Sequence, residues 1–207
     1  MNLGPDLHAA PQVCARRLLG TVVQSEQDGQ RVAVRVTEVE AYGGAGQDPG
    51  SHAHRGRTRR NATMFDRPGL LYVYFTYGMH WCANVVCHVD GEAGAVLLRA
   101  GDVVAGVEAA RSRRPASRHD RDLARGPARL AAALGVTGDH DGLDLLDPAS
   151  PVRLEPGEPV DHGLVRTGAR TGVSGDGAST PWRFWIDGDP TVSPYRPARP
   201  RAAGSRP

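Results

Sequence analysis

Apolar residues recur along this chain at two spacings, every second position in several short runs and every third or fourth in a few others. These periods predict strands and helices respectively. In residues 31–42, Val32, Val34 and Val36 fall on one face by period two, and the same alternation continues to Glu38, Glu40 and Tyr42, so carboxylates follow the apolar register. Residues 21–24 form the preceding strand, joined to it across Asp28-Gly29, a hairpin turn signal. Residues 70–75 and 79–87 read as two strands around Tyr77-Gly78, residues 95–99 as another that ends at Arg99, and residues 181–186 as a late one. Helices are predicted from Pro11 to a stop at Gly20, over 102–112, and over 121–134, where Leu123, Leu130 and Leu134 point inward. Residues 43–60 form a long Gly-rich loop carrying His52 and His54. Strands and helices do not alternate regularly, which excludes a doubly wound parallel sheet. The pattern predicts one mixed α/β (α+β) domain over residues 1–192, with a central antiparallel sheet of hairpins flanked by helices. From Ser193 onward four Pro and four Arg occur with no acid, which reads as a mobile tail, residues 193–207.

Composition narrows the class. The chain has 207 residues, 40% of them hydrophobic and 23% charged, enough to bury a core in one soluble domain. Its 26 Gly and 16 Pro imply many turns and exclude long bundles and coiled coils. Three cysteines (Cys14, Cys82, Cys87) make no CxxC pair and no disulfide framework, which fits a reducing cytoplasm. The N-terminal residues show no secretory signal pattern. The uncharged stretch between Arg67 and Asp90 is interrupted by Tyr72, Tyr74, His80, Asn84 and His88, so it reads as a buried hairpin and not a membrane span.

Lysine is absent, so all 25 basic side chains are arginine. No side-chain amine exists for a Schiff base or for a phosphate-loop nucleotide site. Arginines crowd residues 55–60 and 111–129, whereas acids dominate 136–162. This asymmetry suits a basic face turned toward phosphates, and equally an ordinary solvated surface in which Arg replaces Lys.

Several residues are candidates for chemistry. Tyr72, Tyr74, Phe75, Tyr77 and Trp81 fall within ten positions of one another in a chain that is only 5% aromatic. A hairpin core accounts for Phe75 and Tyr72, while Tyr77 at the turn is open to two readings, packing or wedging between stacked bases. Glu40 either lies in solvent past the sheet edge or is buried and paired for proton transfer, with Arg99 as its natural partner or as a phosphate ligand. His52 and His54 lack companion ligands at zinc spacings, so no metal is expected. Neither a GxSxG elbow nor a nucleophilic cysteine setting is present.

In order, the segments ARRLLG, TEVEAYGGAGQDPGSHAHRGRTRRNATMF, PGLLYVYFTYGMHWCANVV, AVLLRA, ARGPARLAAALG and PWRFWI resemble the alkyladenine (3-methyladenine) DNA glycosylase family from about Ala15 to Ile186. The resemblance implies a single mixed α/β domain that flips damaged purines out of duplex DNA and hydrolyses the N-glycosidic bond without cofactor or metal. By motif position it implies Glu40 as the carboxylate activating water and Arg99 beside that water. Tyr42, His52, Tyr74 and Asn84 are implied as the base pocket, and Tyr77 as the ring inserted into the duplex. Arg129 and Arg170 match more loosely and stay outside this set. The expected partner is double-stranded DNA containing damaged purines, bound by a cytoplasmic, nucleoid-associated monomer with no membrane contact. The alternative is a non-catalytic nucleic-acid-binding protein that uses the same basic and aromatic surface.

Overall fold

The computed structural model describes residues 7–198, and among these eight strands form one sheet with three α-helices around it. Helix α1 (Pro11–Leu18) opens on a proline, whose missing N–H costs nothing in a first turn. Strands β1 (Val22–Gln27) and β2 (Gln30–Tyr42) form a hairpin, and β3 (Leu71–Thr76) and β4 (His80–Val86) form a second. Then follow β5 (Ala95–Ala105), α2 (Val107–Arg113), α3 (Pro127–Leu134), β6 (Val152–Glu155), β7 (Val165–Gly168) and β8 (Arg183–Ile186). The strand order is β3-β4-β5-β2-β1-β6, with β8 on β2 and β7 on β8, and every pairing is antiparallel. Strand β2 is long enough to serve two neighbours along one edge, β1 at residues 30–35 and β8 at residues 38–40. The predicted single α+β domain with an antiparallel sheet is the observed architecture.

The main core lies on one face of this sheet. Leu71 and Val73 of β3, Ala83 and Val85 of β4, Val96 and Leu98 of β5, and Val39 and Ala41 of β2 pack with Leu18 of α1 and with Leu130 and Leu134 of α3. Burying each such Leu or Val stabilises the fold by roughly 1.5–3 kcal/mol.

Strand β2 departs from the sequence expectation. Its core residues are Val32, Val34 and Val36 and then Val39 and Ala41, so the parity changes between them. The change falls where Thr37 has no partner on β5, since Val36 pairs with Gly101 and Glu38 with Ala100. One extra residue in a strand turns every later side chain to the other face. Glu38, Glu40 and Tyr42 therefore do not share the face of Val32, Val34 and Val36, but project from the reverse side. On β5 the matching irregularity skips Arg99, between Ala100 and Leu98.

Other boundaries also move. Strand β5 does not end at Arg99 but runs to Ala105, because Asp102 and Val103 pair with Arg35 and Val34; the helix predicted from residue 102 starts only after Gly106, whose φ of 72° ends the strand. The helix predicted over 121–134 occupies only its second half, from Pro127, behind a Gly126 at φ 129°. Ser193, placed in a tail by composition, is buried and hydrogen-bonded to Glu38 and Arg183, and Arg196 accepts a bond from the Gly172 N–H. The remainder of that expectation, residues 199–207, lies outside the described residues. No helix among the described residues is long and apolar enough to cross a membrane.

Candidate active site

Residues opposite one another on adjacent strands share a face, so the pairing register alone places the site. Tyr72, Asn84, Leu97, Glu40 and Arg183 form one row across β3, β4, β5, β2 and β8 on the face away from the main core. Tyr74 pairs with Cys82 in the next row. A small apolar cluster that includes Met64, Tyr72, Val86 and Ala95 fills part of this face, and a cavity of about 470 Å³ opens beside it. That volume falls within the roughly 300–1,000 Å³ usual for small-molecule sites. Tyr42, His52, Tyr74, Tyr77, Asn84 and Arg99 all line the cavity.

Glu40 is 0% exposed and sits behind the lining, bonded to three groups that face the cavity. The Tyr42 hydroxyl donates to Oε2 at 2.8 Å and Arg99 Nη1 to the same oxygen at 3.2 Å, while the Thr171 backbone N–H donates to Oε1 at 2.6 Å. These three donors replace much of the hydration that the buried carboxylate has lost.

Arg99 is buried between two acids. Its Nε donates to Glu38 Oε1 at 2.9 Å on one side while Nη1 meets Glu40 on the other. Burial acts to lower the guanidinium pKa, but Glu40 and Glu38 outweigh it and hold the cation more firmly charged than usual. Glu38 also accepts from Arg183 Nε at 2.6 Å and from the Ser193 N–H at 2.7 Å. Burial pushes the Glu38 carboxyl up, yet Arg99, Arg183 and these hydrogen bonds together bring it below the ordinary value of 4.5.

The ring of Tyr42 is backed by a second ion pair. Arg170, 0% exposed, stands 4.7 Å from the Tyr42 ring centroid and 5.5 Å from that of Trp182. It grips Asp48 through two bonds of 2.6 and 2.7 Å and also donates to the Ala41 carbonyl. Asp48 further accepts the N–H groups of Gly43 and Gly50, closing the Gly-rich loop on itself. Burial raises the Asp48 carboxyl, but Arg170 and these two amides pull it below its usual 3.8. Burial, reinforced by Glu40, pushes the Tyr42 phenol well above 10.0, so it stays a donor.

Elsewhere in the lining, the His52 ring meets Tyr74 edge-on at 4.6 Å, and its Nδ1 lies 3.1 Å from the Tyr72 hydroxyl. Asn61 holds the His52 carbonyl at 2.8 Å. Burial, aided by Arg60, lowers the imidazole pKa below 6.5, so the ring is neutral at pH 7. Burial also pushes the Tyr72 and Tyr74 phenols up, leaving both uncharged. Asn84 is buried and bonded to the Tyr72 carbonyl at 3.0 Å.

The rim differs in kind. Tyr77, 84% exposed, and Gly78 occupy a turn with φ of 52° and 67°, a left-handed backbone that few aromatic residues adopt. Met79 beside it is 67% exposed. Arg55, Arg57, Arg59 and Arg60 are exposed on the loop that follows His52, with Arg60 bonded to the Phe75 carbonyl and 5.7 Å from the centroid of the Tyr74 ring that lines the cavity. His52 and His54 gather no third ligand: among the described residues no three His, Cys, Asp or Glu side chains group as a metal site.

The structure thus brings all seven sequence candidates to one place and adds Glu38, Asp48, Arg170, Thr171 and Ser193. Glu38 shares the alternation of Glu40 and could have been found from it. Asp48 and Arg170 meet across 122 positions of sequence, for which no local signal exists.

A dry carboxylate beneath an aromatic-walled cavity, with cations and a projecting ring at the mouth, suits hydrolysis of a bond to a planar leaving group drawn out of a nucleic-acid stack. The family model for methylpurine-DNA glycosylase matches residues 6–190. A Streptomyces avermitilis protein is 56% identical over 198 residues, covering 95% of this chain and 90% of its own length. Proteins from Nocardia farcinica and Leifsonia xyli are each 52% identical, covering 97% and 94% of this chain and 93% and 90% of their own lengths. All three are provisionally named 3-methyladenine DNA glycosylase. The chain belongs to the methylpurine-DNA glycosylase family and is a DNA-repair glycosylase.

Proposed function

We propose that this glycosylase draws damaged purines of the 3-methyladenine, 7-methylguanine, hypoxanthine or ethenoadenine type from duplex DNA into the cavity. There it hydrolyses the N-glycosidic bond and leaves an abasic site. The observation that carries this reading is Glu40, a fully buried carboxylate joined through Tyr42, Arg99 and Thr171 to the cavity.

In this reading Tyr42 and Tyr74 stack on the two faces of the extruded base. A cationic alkylated purine is held more strongly by these π-faces than a neutral one, which favours damage over normal bases. Neutral His52 hydrogen-bonds the base edge, and Asn84 disfavours the exocyclic amine of guanine. Tyr77 fills the gap left in the duplex and offsets part of the few kcal/mol lost on unstacking. As the bond to the purine breaks, the sugar gains oxocarbenium character. Glu40, with Arg99 beside it, aims a water at the sugar carbon, takes its proton and stabilises the developing positive charge. The co-substrate is water alone. With no lysine in the chain, strand cleavage through a lysine Schiff base is excluded and the N-terminal α-amino group is the one primary amine left, so we read the enzyme as monofunctional. We assign it to a monomer acting at the nucleoid.

The test uses duplexes with one alkylated, one deaminated or no damaged purine. Free base, an alkali-labile abasic site and no borohydride-trapped adduct are expected from the damaged duplexes only. Binding without release would identify a non-catalytic nucleic-acid binder instead, and trapping would refute the monofunctional mechanism.

A further inference from the structure

We infer that Glu38 and the C-terminal segment at Ser193 are positioning elements of the catalytic site, acting through Arg99; this rests on the glycosylase reading of Glu40. Glu38 is fully buried, and of the groups bonded to it, Arg99, Arg183 and the Ser193 backbone, only Arg99 lines the cavity, whereas all three partners of Glu40 do. A carboxylate in such a place costs several kcal/mol of desolvation unless its pairing is thorough, and its pairing here is directed at one residue of the site. Arg99 is shared: Nε goes to Glu38 and Nη1 to Glu40, with Nη2 3.5 Å from the Ser193 hydroxyl.

The sharing has a chemical effect. An arginine and a carboxylate left alone in a dry site close into a two-bond fork, which occupies both carboxylate oxygens. With Nε on Glu38 and Nη2 turned to the Ser193 hydroxyl, only Nη1 of Arg99 reaches Glu40, at a single oxygen. Glu40 thereby keeps a nearby cation on Oε2, while Oε1, met among the described residues only by the Thr171 N–H, retains a lone pair that can take a proton from water.

Ser193 fixes Glu38 in turn. Its N–H donates to Glu38 Oε2 at 2.7 Å, and its carbonyl accepts at 2.9 Å from Arg183, whose Nε holds the other Glu38 oxygen. Neighbouring bonds pin the same segment, from Arg125 to the Val192 carbonyl at 2.9 Å and between Thr37 and Thr191 at 2.8 Å. Further along, the Arg196 carbonyl accepts from the Gly172 N–H at 3.1 Å, one residue beyond the Thr171 amide that binds Glu40. A segment whose composition reads as a tail therefore reaches both sides of the carboxylate.

The test is a double-mutant cycle on single-turnover base release at saturating enzyme, comparing wild type, E38Q, R99A and E38Q/R99A. Duplex affinity and thermal unfolding are measured on the same proteins. E38Q is expected to slow release by about 100-fold, the scale of a small misplacement of reacting groups, with affinity for a damaged duplex within threefold of wild type. In the R99A background the same substitution is expected to add nothing. Ser193→Pro, which removes the N–H reaching Glu38, is expected to slow release without a separate effect in E38Q, and it serves if E38Q does not fold. Wild-type rates in E38Q, or effects of E38Q and R99A that multiply, would overturn the proposal. A wild-type chain that releases no base would remove this inference together with the glycosylase reading, a result distinct from either.

Discussion

The floor and the rim of the cavity are built on opposite terms. At the floor, Glu38, Glu40, Arg99 and Arg183 are all buried, and every carboxylate oxygen there is bonded to a named donor. At the rim, Tyr77 and Met79 stand in solvent on a strained turn, and Arg55 and Arg59 make no hydrogen bond or ion pair among the described residues. The floor places opposite charges where water is scarce, so its geometry is fixed before substrate arrives. The rim leaves rings and cations unsatisfied, so it has binding energy to give to an incoming duplex. Chemistry and recognition are thus separable in this molecule, and substitutions should separate them.

The largest effect is expected at the floor. Glu40→Gln should lower single-turnover base release by about 10²–10⁴-fold, the usual worth of a positioned base, while duplex affinity holds; normal turnover would remove Glu40 from the chemistry. Asp48→Ala leaves Arg170 charged and unpaired behind Tyr42, and should cost about 3–5 kcal/mol in urea unfolding. A loss under 1 kcal/mol would show that the pair is dispensable.

The floor should also betray itself in acid. Glu38 and Asp48 have folded-state values below their ordinary 4.5 and 3.8, so the stability each contributes is complete above those values and is lost as pH falls through the lower folded ones. The urea midpoint should drop as pH falls below about 4.5, and E38Q should flatten the upper part of that decline. An unchanged profile in E38Q would contradict the pairing.

At the rim the signs reverse. Tyr77→Gly removes a side chain from left-handed backbone and should raise stability by about 1 kcal/mol, while slowing release at limiting enzyme. Loss of stability would mean that the ring packs and does not probe DNA. Smallest of all, Arg59→Ala should leave single-turnover release at saturation unchanged and lower the slope of log affinity against log salt by about 1. An unchanged slope would place Arg59 away from phosphate.

Much of this was legible in the chain because strand periodicity and turn chemistry act locally. The Asp28-Gly29 turn, the Tyr77-Gly78 tip and the alternation of Glu38, Glu40 and Tyr42 all need only neighbouring residues to be read. What escaped depends on partners. The Thr37 bulge has no signature in a run of valines, and it appears only when β2 is laid against β5. Asp102 to Ala105 fit a helix start as well as a strand end until β2 decides between them. Arg170 matched the family pattern only loosely and stayed outside the site set, and its place behind Tyr42 is fixed by an aspartate far away in sequence. Ser193 sits among prolines and arginines, and only its backbone bonds reveal that it belongs to the body of the protein.

The most direct measurement is a crystal structure of Glu40→Gln bound to a duplex carrying one alkylated purine. The account predicts the damaged base between Tyr42 and Tyr74, Tyr77 in the vacated stack, and a water held by residue 40 and Arg99 facing the anomeric carbon. A base still paired in the duplex, or seated where residue 40 lies beyond reach of its sugar, would contradict it.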